Sequence, residues 1–108
     1  MAKPPTHDIE SMRVSALQAT SVLRTLANPD RLLLLCQLSQ GERSVGELES
    51  LLGIVQPTLS QQLGVLRQEE MVNTRRSGKQ IYYSVKNPKV LVILEHLYAL
   101  YCGDHHDH

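Results

Sequence analysis

Two thiols are the side chains of this sequence whose type best suits them to chemistry: Cys36 and Cys102, in a chain of 108 residues with no other cysteine. A thiolate can serve as nucleophile, as metal ligand or as half of a disulfide, and its surroundings decide which. Cys36 interrupts an apolar run, Leu32-Leu33-Leu34-Leu35-Cys36, a setting that also suits a small buried hydrophobe. Cys102 stands in Tyr101-Cys102-Gly103, where a helix would end near solvent. A helix C-terminus disfavours a thiolate, so position alone does not activate it. Two thiols are too few to staple a small secreted fold. The opening Met1-Ala2-Lys3-Pro4-Pro5-Thr6-His7-Asp8 lacks the apolar run of a signal peptide, so a cytoplasmic, reducing location is expected. A permanent disulfide does not persist there. A thiol pair at opposite ends of a small domain therefore points to a switch and not a scaffold.

Other chemistries have weaker claims. Zinc wants four N or S ligands whose spacing brings them together. Glu95 and His96 are adjacent and project about 100° apart on a helix. The terminal Asp104-His105-His106-Asp107-His108 could hold a transition metal, with Cys102 as a further donor, but its composition is that of a polar tail. No metal site is assigned. A thiol-dependent catalyst would need a base, and His96 is the only candidate in the folded part, so neither an enzyme nor a cofactor is expected. The longest apolar stretch, residues 90–102, carries Glu95 and His96 and falls short of the roughly 20 residues of a membrane span.

The elements that must position the thiols follow from pattern. With four Tyr, no Trp and no Phe, the core must come from Leu, Val, Ile and Ala, which suits packed helices. Residues 1–8, with Pro4 and Pro5, form a flexible lead. A first helix is predicted over 9–27, with Val14, Leu17, Val22, Leu23 and Leu26 in an apolar stripe. Asn28-Pro29 stops it and starts a second, over 29–39, apolar on most faces and central to the core. Ser44-Val45-Gly46-Glu47 is a capping box that opens a third helix to residue 52, ended by Gly53. Pro57 opens a fourth through residue 69. Two strands follow, 72–76 and 80–85, joined by Ser77-Gly78-Lys79, and Asn87-Pro88 starts a last helix to residue 102. The fold class is mainly α with a small β-wing: four helices, two strands and a helix in one domain over 9–103, followed by a tail over 104–108.

This order places a recognisable set of polar side chains. Total charge is silent, since Lys plus Arg equals Asp plus Glu. Between residues 67 and 89, however, Arg67, Arg75, Arg76, Lys79, Lys86 and Lys89 face only Glu69 and Glu70, an electrostatic footprint for a polyanion. Gln56, Thr58, Ser60, Gln61 and Gln62 cluster at the start of the fourth helix and suit base-edge readout in a major groove. Arg67, Arg75, Arg76 and Lys79 suit phosphates or a minor groove. Taken singly, a polar helix face and a basic hairpin are often merely solvated, and Thr58 and Gln62 could instead support local helix geometry. The sequence of short helix, turn, polar helix and basic hairpin is what points to double-stranded DNA.

Three stretches carry a family resemblance: Ser44-Val-Gly-Glu-Leu-Glu49, Gly53-Ile-Val-Gln-Pro-Thr-Leu-Ser-Gln-Gln-Leu-Gly-Val-Leu-Arg67 and Val72-Asn-Thr-Arg-Arg-Ser-Gly-Lys-Gln-Ile-Tyr-Tyr83. The chain resembles the ArsR/SmtB family of bacterial winged-helix repressors, and within it the BigR-like branch that senses persulfides and other reactive sulfur species. The resemblance covers about residues 9–103. It implies a homodimer through the first and last helices, whose apolar faces would otherwise lie open, bound to inverted-repeat operator DNA. The thiolate metal motif of the family falls where this chain has Ser44-Val45-Gly46-Glu47-Leu48, without a thiol. Its second metal site uses Asp and His on the last helix, where this chain offers Glu95 and His96. Relatives in the branch carry one cysteine on the second helix and one on the last, which reactive sulfur species join through a di- or polysulfide. The resemblance therefore implies redox sensing by Cys36 and Cys102 and by no other residue. Tyr98 and Tyr101, from their positions alone, are candidates to shape a pocket near Cys102, although tyrosine at such positions more often packs. Alternatives from the residues themselves are a metal-responsive repressor that loses its response on truncation after Gly103, a repressor responding to peroxide, and a winged helix that binds only protein.

Overall fold

The computed structural model describes residues 8–102. Helix α1 (Ile9–Leu26) starts on Asp8, whose carboxylate accepts the Ser11 N–H at 2.7 Å. Asp8 thus belongs to the helix start and not to the lead, because its side chain satisfies an N–H that has no partner within the helix. Of the stripe Val14, Leu17, Val22, Leu23 and Leu26, only Leu26 is buried and Val22 half-buried. Ile9, Met12, Val14, Leu17 and Leu23 point outward, so α1 packs at its last turns and leaves an apolar face open.

Helix α2 (Pro29–Leu38) begins where Asn28 accepts the Arg31 N–H at 3.0 Å and Pro29 supplies a preset φ. Leu34, Leu35 and Leu38 are buried, which makes α2 the central element. A two-residue strand, β1 (Arg43–Ser44), leads into α3 (Val45–Leu52). The capping box is formed both ways: the Glu47 N–H donates to Ser44 Oγ at 3.1 Å and the Ser44 N–H donates to Glu47 Oε1 at 2.8 Å. Gly53 ends α3 at φ +68°, a conformation an L side chain resists.

Helix α4 (Thr58–Gln68) buries Leu59, Leu63 and Leu66. Pro57 stands one place before it as the N-cap and has no side-chain acceptor, so Gln56 does the capping and takes the Ser60 N–H on Oε1 at 3.2 Å. After α4 the chain turns through Glu70 at φ +58°. There the Met71 N–H donates to the Leu66 carbonyl at 2.8 Å and the Glu70 N–H to that of Arg67 at 3.1 Å. This is a Schellman closure with glutamate at the left-handed position that glycine usually fills.

Strands β2 (Val72–Ser77) and β3 (Gln80–Val85) pair antiparallel from Val72 with Val85 to Ser77 with Gln80. Ser77 therefore lies in the strand, and the turn is Gly78-Lys79 alone, with Gly78 at φ +62°. The sheet has three strands and not the expected two, in the order β1-β3-β2, with Arg43 opposite Tyr83 and Ser44 opposite Tyr82. Two residues carry no alternation, so β1 leaves no periodic signal. Asn87 caps α5 (Pro88–Tyr101), which buries Val90 and Leu94 and exposes Val92, Leu100 and Tyr101. Cys102 is its C-cap and donates its N–H to the Tyr98 carbonyl at 2.8 Å. One core, with Leu34, Leu35, Leu48, Leu59, Leu63, Leu66 and Val90 fully enclosed, joins α2, α3, α4 and α5.

Replacing Glu70 by Gly should raise the thermal midpoint by a few degrees, because glycine enters the left-handed region without the Cβ penalty. The exposed pair that would be lost, Lys86 Nζ to Glu70 at 2.6 Å, contributes little against that gain. Differential scanning calorimetry of the two proteins checks it.

Candidate nucleic-acid interface and thiol pair

The polar side chains of α4 divide into two groups. Ser60 and Gln61 lie exposed on its outer face. Gln56 is exposed but engaged, since its Oε1 receives both the N–H and the hydroxyl of Ser60. Thr58 is half-buried, and half-buried Gln62 faces inward, where its Oε1 accepts a hydrogen bond from Arg31 Nη1 at 3.0 Å.

Arg31 was not legible as a functional residue, yet it links three helices. Its Nε donates to the Thr25 carbonyl at 2.7 Å and its Nη2 to that of Arg24 at 3.3 Å, both in the last turn of α1. One guanidinium on α2 therefore satisfies the Thr25 carbonyl at the end of α1, adds a second donor to that of Arg24, which also accepts the Ala27 N–H, and holds Gln62 of α4. A signal existed in its position: a cation in the first turn of a helix is opposed by the helix dipole and so asks for another partner.

Arg67 in the last turn of α4, and Arg76 and Lys79 on the wing, are exposed and make no ion pair among the described residues. Arg75 is held. Its Nε and Nη2 donate to the two carboxylate oxygens of Glu42 at 2.8 and 2.7 Å, and its guanidinium lies 4.7 Å from the centre of the Tyr82 ring. The hydrogen bonds from Arg75, and then its charge, hold the Glu42 carboxyl below the usual carboxylate range, and Glu42 in turn raises Arg75. The pair therefore persists until pH falls through that lowered range. Neither Glu42 nor Tyr82 stood out in the sequence, because β1 is what brings residue 42 beside the wing.

Both cysteines are free thiols, Cys36 half-buried on α2 and Cys102 exposed at the end of α5. Cys36 lines a cavity of about 620 Å3 between α2 and α5, whose walls include Leu33, Gln37, Leu52, Leu94, Glu95 and Tyr98. Of the two tyrosines expected near the thiols, Tyr98 lines this space and Tyr101 does not. Burial pushes the Cys36 thiol up, and the charge on Cys102 raises it further. His96 is exposed and stands outside the cavity. The histidine-rich tail, Asp104 to His108, lies outside the described residues.

Two helices joined by a tight turn, then a hairpin carrying exposed cations, define a winged helix-turn-helix regulator, a DNA-binding class of fold. Residues 28–74 match the family described as bacterial regulatory protein, arsR family. The biofilm growth-associated repressor of Agrobacterium fabrum is 52% identical over 95 residues, 88% of this chain and 81% of that one. The crystal structure of the transcriptional repressor BigR from Xylella fastidiosa superposes with a TM-score of 0.82 at 48% identity, covering 89% of this chain and 98% of that chain. Reduced HlyU from Vibrio cholerae gives 0.83 at 38% identity, covering 87% and 99%. The chain belongs to the ArsR family of bacterial transcriptional regulators. Among the described residues, no helix is long and apolar enough to cross a membrane.

The raised Cys36 thiol gives a signed expectation. Less thiolate is present at neutral pH than in an unhindered thiol, so alkylation of Cys36 by iodoacetamide should climb with pH later than that of a free small thiol. Cys102→Ser removes the second cause of the shift and should move the Cys36 profile to lower pH without abolishing the burial effect. Rates of mass gain across a pH series measure both.

Proposed function

We propose that this chain is a dimeric, cytoplasmic repressor that holds inverted-repeat operator DNA while its thiols are reduced. It releases the DNA when persulfides or related reactive sulfur species link Cys36 to Cys102. The observation that carries this reading is the placement of Cys36 on a cavity between α2 and α5, with Cys102 capping the second of those helices. The outward apolar faces of α1 and α5 support the dimer, since large open apolar patches mark interfaces.

The sulfur chemistry balances without a further oxidant. The Cys36 thiolate attacks the terminal sulfur of a persulfide R–S–SH, the donor S–S bond breaks, and R–S⁻ leaves with the electron pair. Cys36 now carries an –S–SH group. The Cys102 thiolate attacks the sulfur that bears the terminal –SH and expels hydrosulfide. Closure after one transfer gives a disulfide, and each further sulfur accepted beforehand lengthens the bridge by one atom. A direct disulfide needs Cα atoms roughly 4.4–6.8 Å apart, so a longer chain spans a wider gap. The bridge draws α5 toward α2 and displaces one recognition helix relative to the other across the dimer. About 1.4 kcal/mol is a tenfold loss of affinity, so a small misfit suffices.

On the DNA side, Ser60 and Gln61 read base edges from α4, helped by Thr58. Gln56 and Gln62 hold the helix that presents them. Arg67, Arg76 and Lys79 meet phosphates, and Arg75 joins them by exchanging Glu42 for the backbone. Glu42→Gln should therefore tighten operator binding and steepen the dependence of log K on log salt by up to about one contact, whereas Lys79→Ala should do the reverse. Titrations of operator DNA at several salt concentrations give both slopes.

The decisive experiment is intact mass of the reduced protein after a persulfide donor, beside operator affinity under the same conditions. A bridged species absent from Cys36→Ser and Cys102→Ser, accompanied by at least tenfold weaker DNA binding, is expected. A chain that stays unmodified, or a bridge that leaves affinity unchanged, would overturn the switch.

A further inference from the structure

The cavity beside Cys36 is larger than sulfur transfer alone requires. A volume of about 620 Å3 lies well inside the range of small-molecule pockets, so it admits organic donors up to the size of a short peptide as readily as an inorganic one. Size therefore does not choose among donors, and the lining must.

That lining takes apolar side chains from three helices: Leu33 on α2, Leu52 on α3, and Leu94 with Tyr98 on α5. The amides of Gln37 and Gln40 add neutral polar groups. Among the described residues, Glu95 is the only charged side chain lining the space, and it makes no ion pair there. A carboxylate without a counter-ion beside an apolar wall favours a cation and opposes an anion. Its exposure keeps the effect modest: near water a unit charge at contact distance is worth about fivefold in an equilibrium or a rate.

We propose that the cavity between α2 and α5 selects organic persulfides bearing an ammonium group, which Glu95 holds while the terminal sulfur meets Cys36. The inference rests on the thiol-switch reading and names its donor class. The step is the first transfer described above: Cys36–S⁻ bonds to the terminal sulfur, the donor S–S bond breaks, and the amine-bearing thiolate leaves with the electron pair. Glu95 touches the donor and takes no part in the bonds that change.

Three donors of similar size and different charge test it: the persulfides of cysteamine, mercaptoethanol and mercaptopropionate. Transfer to Cys36 is followed by intact mass in Cys102→Ser, where the first step is isolated, and each rate is divided by that of the same donor with a free small thiol. Cysteamine persulfide should lead mercaptoethanol persulfide by about fivefold, and mercaptopropionate persulfide should trail it by a similar factor. Glu95→Gln should collapse the three rates toward one value while leaving operator binding of the reduced protein unchanged, and Glu95→Lys should invert the order. An order and spacing that survive Glu95→Gln, with sulfur transfer and bridging intact, overturn the donor selectivity alone. Failure of every donor to add sulfur to the wild-type chain overturns the thiol switch with it.

Discussion

The guanidinium of Arg31 is the contact on which the arrangement of the helices turns. It rises from the first turn of α2, closes the frayed end of α1 by donating to the Arg24 and Thr25 carbonyls, and reaches Gln62 on α4. A planar fork with fixed donor directions suits this three-way task, and a lysine ammonium would not reproduce it. The helix with the open apolar face and the helix that exposes Ser60 and Gln61 are thus tied to one another through α2, which also carries Cys36. A displacement of α2 is felt at both.

The two faces of the molecule are built on different principles. The face of α4 and the wing rests on exposure and charge: Ser60 and Gln61 stand free of the core, and Arg75 is paired with a carboxylate and lies over an aromatic ring. The thiol face depends on partial burial, which pushes the Cys36 thiol up. One face is open to water throughout, and the other sets apolar side chains beside a half-buried thiol. The fold separates them by the fully enclosed leucines of α2 and α4.

Much of this was legible in the chain. Asn28-Pro29, Ser44 with Glu47, and Asn87-Pro88 mark helix starts because capping chemistry is local, and each stands where its residues place it. The exposed positions of α4 and the hairpin were readable for the same reason. What the sequence hid is tertiary. Strand β1 is too short to show a period, and without it nothing brings Glu42 to Arg75. The inward turn of Gln62 and the reach of Arg31 depend on how α2 crosses α4, which no local pattern encodes. The cavity, too, arises from the spacing of α2 and α5 and from no single motif.

That cavity has a mechanical meaning. A protein interior packed to crystal density has no slack, and moving one helix through it breaks contacts before new ones form. Between α2 and α5 the packing gives way to a groove of about 620 Å3 open to solvent, faced by Leu33 and Leu52 on one side and Leu91 and Leu94 on the other, with Leu33 and Leu91 exposed. Were α5 to close on α2, as proposed for the sulfur bridge, these side chains would meet and gain dispersion contact. Closure would also shed water from these apolar side chains, so the proposed motion would carry the negative heat-capacity change of apolar burial, a second handle on the same equilibrium that needs no sulfur chemistry.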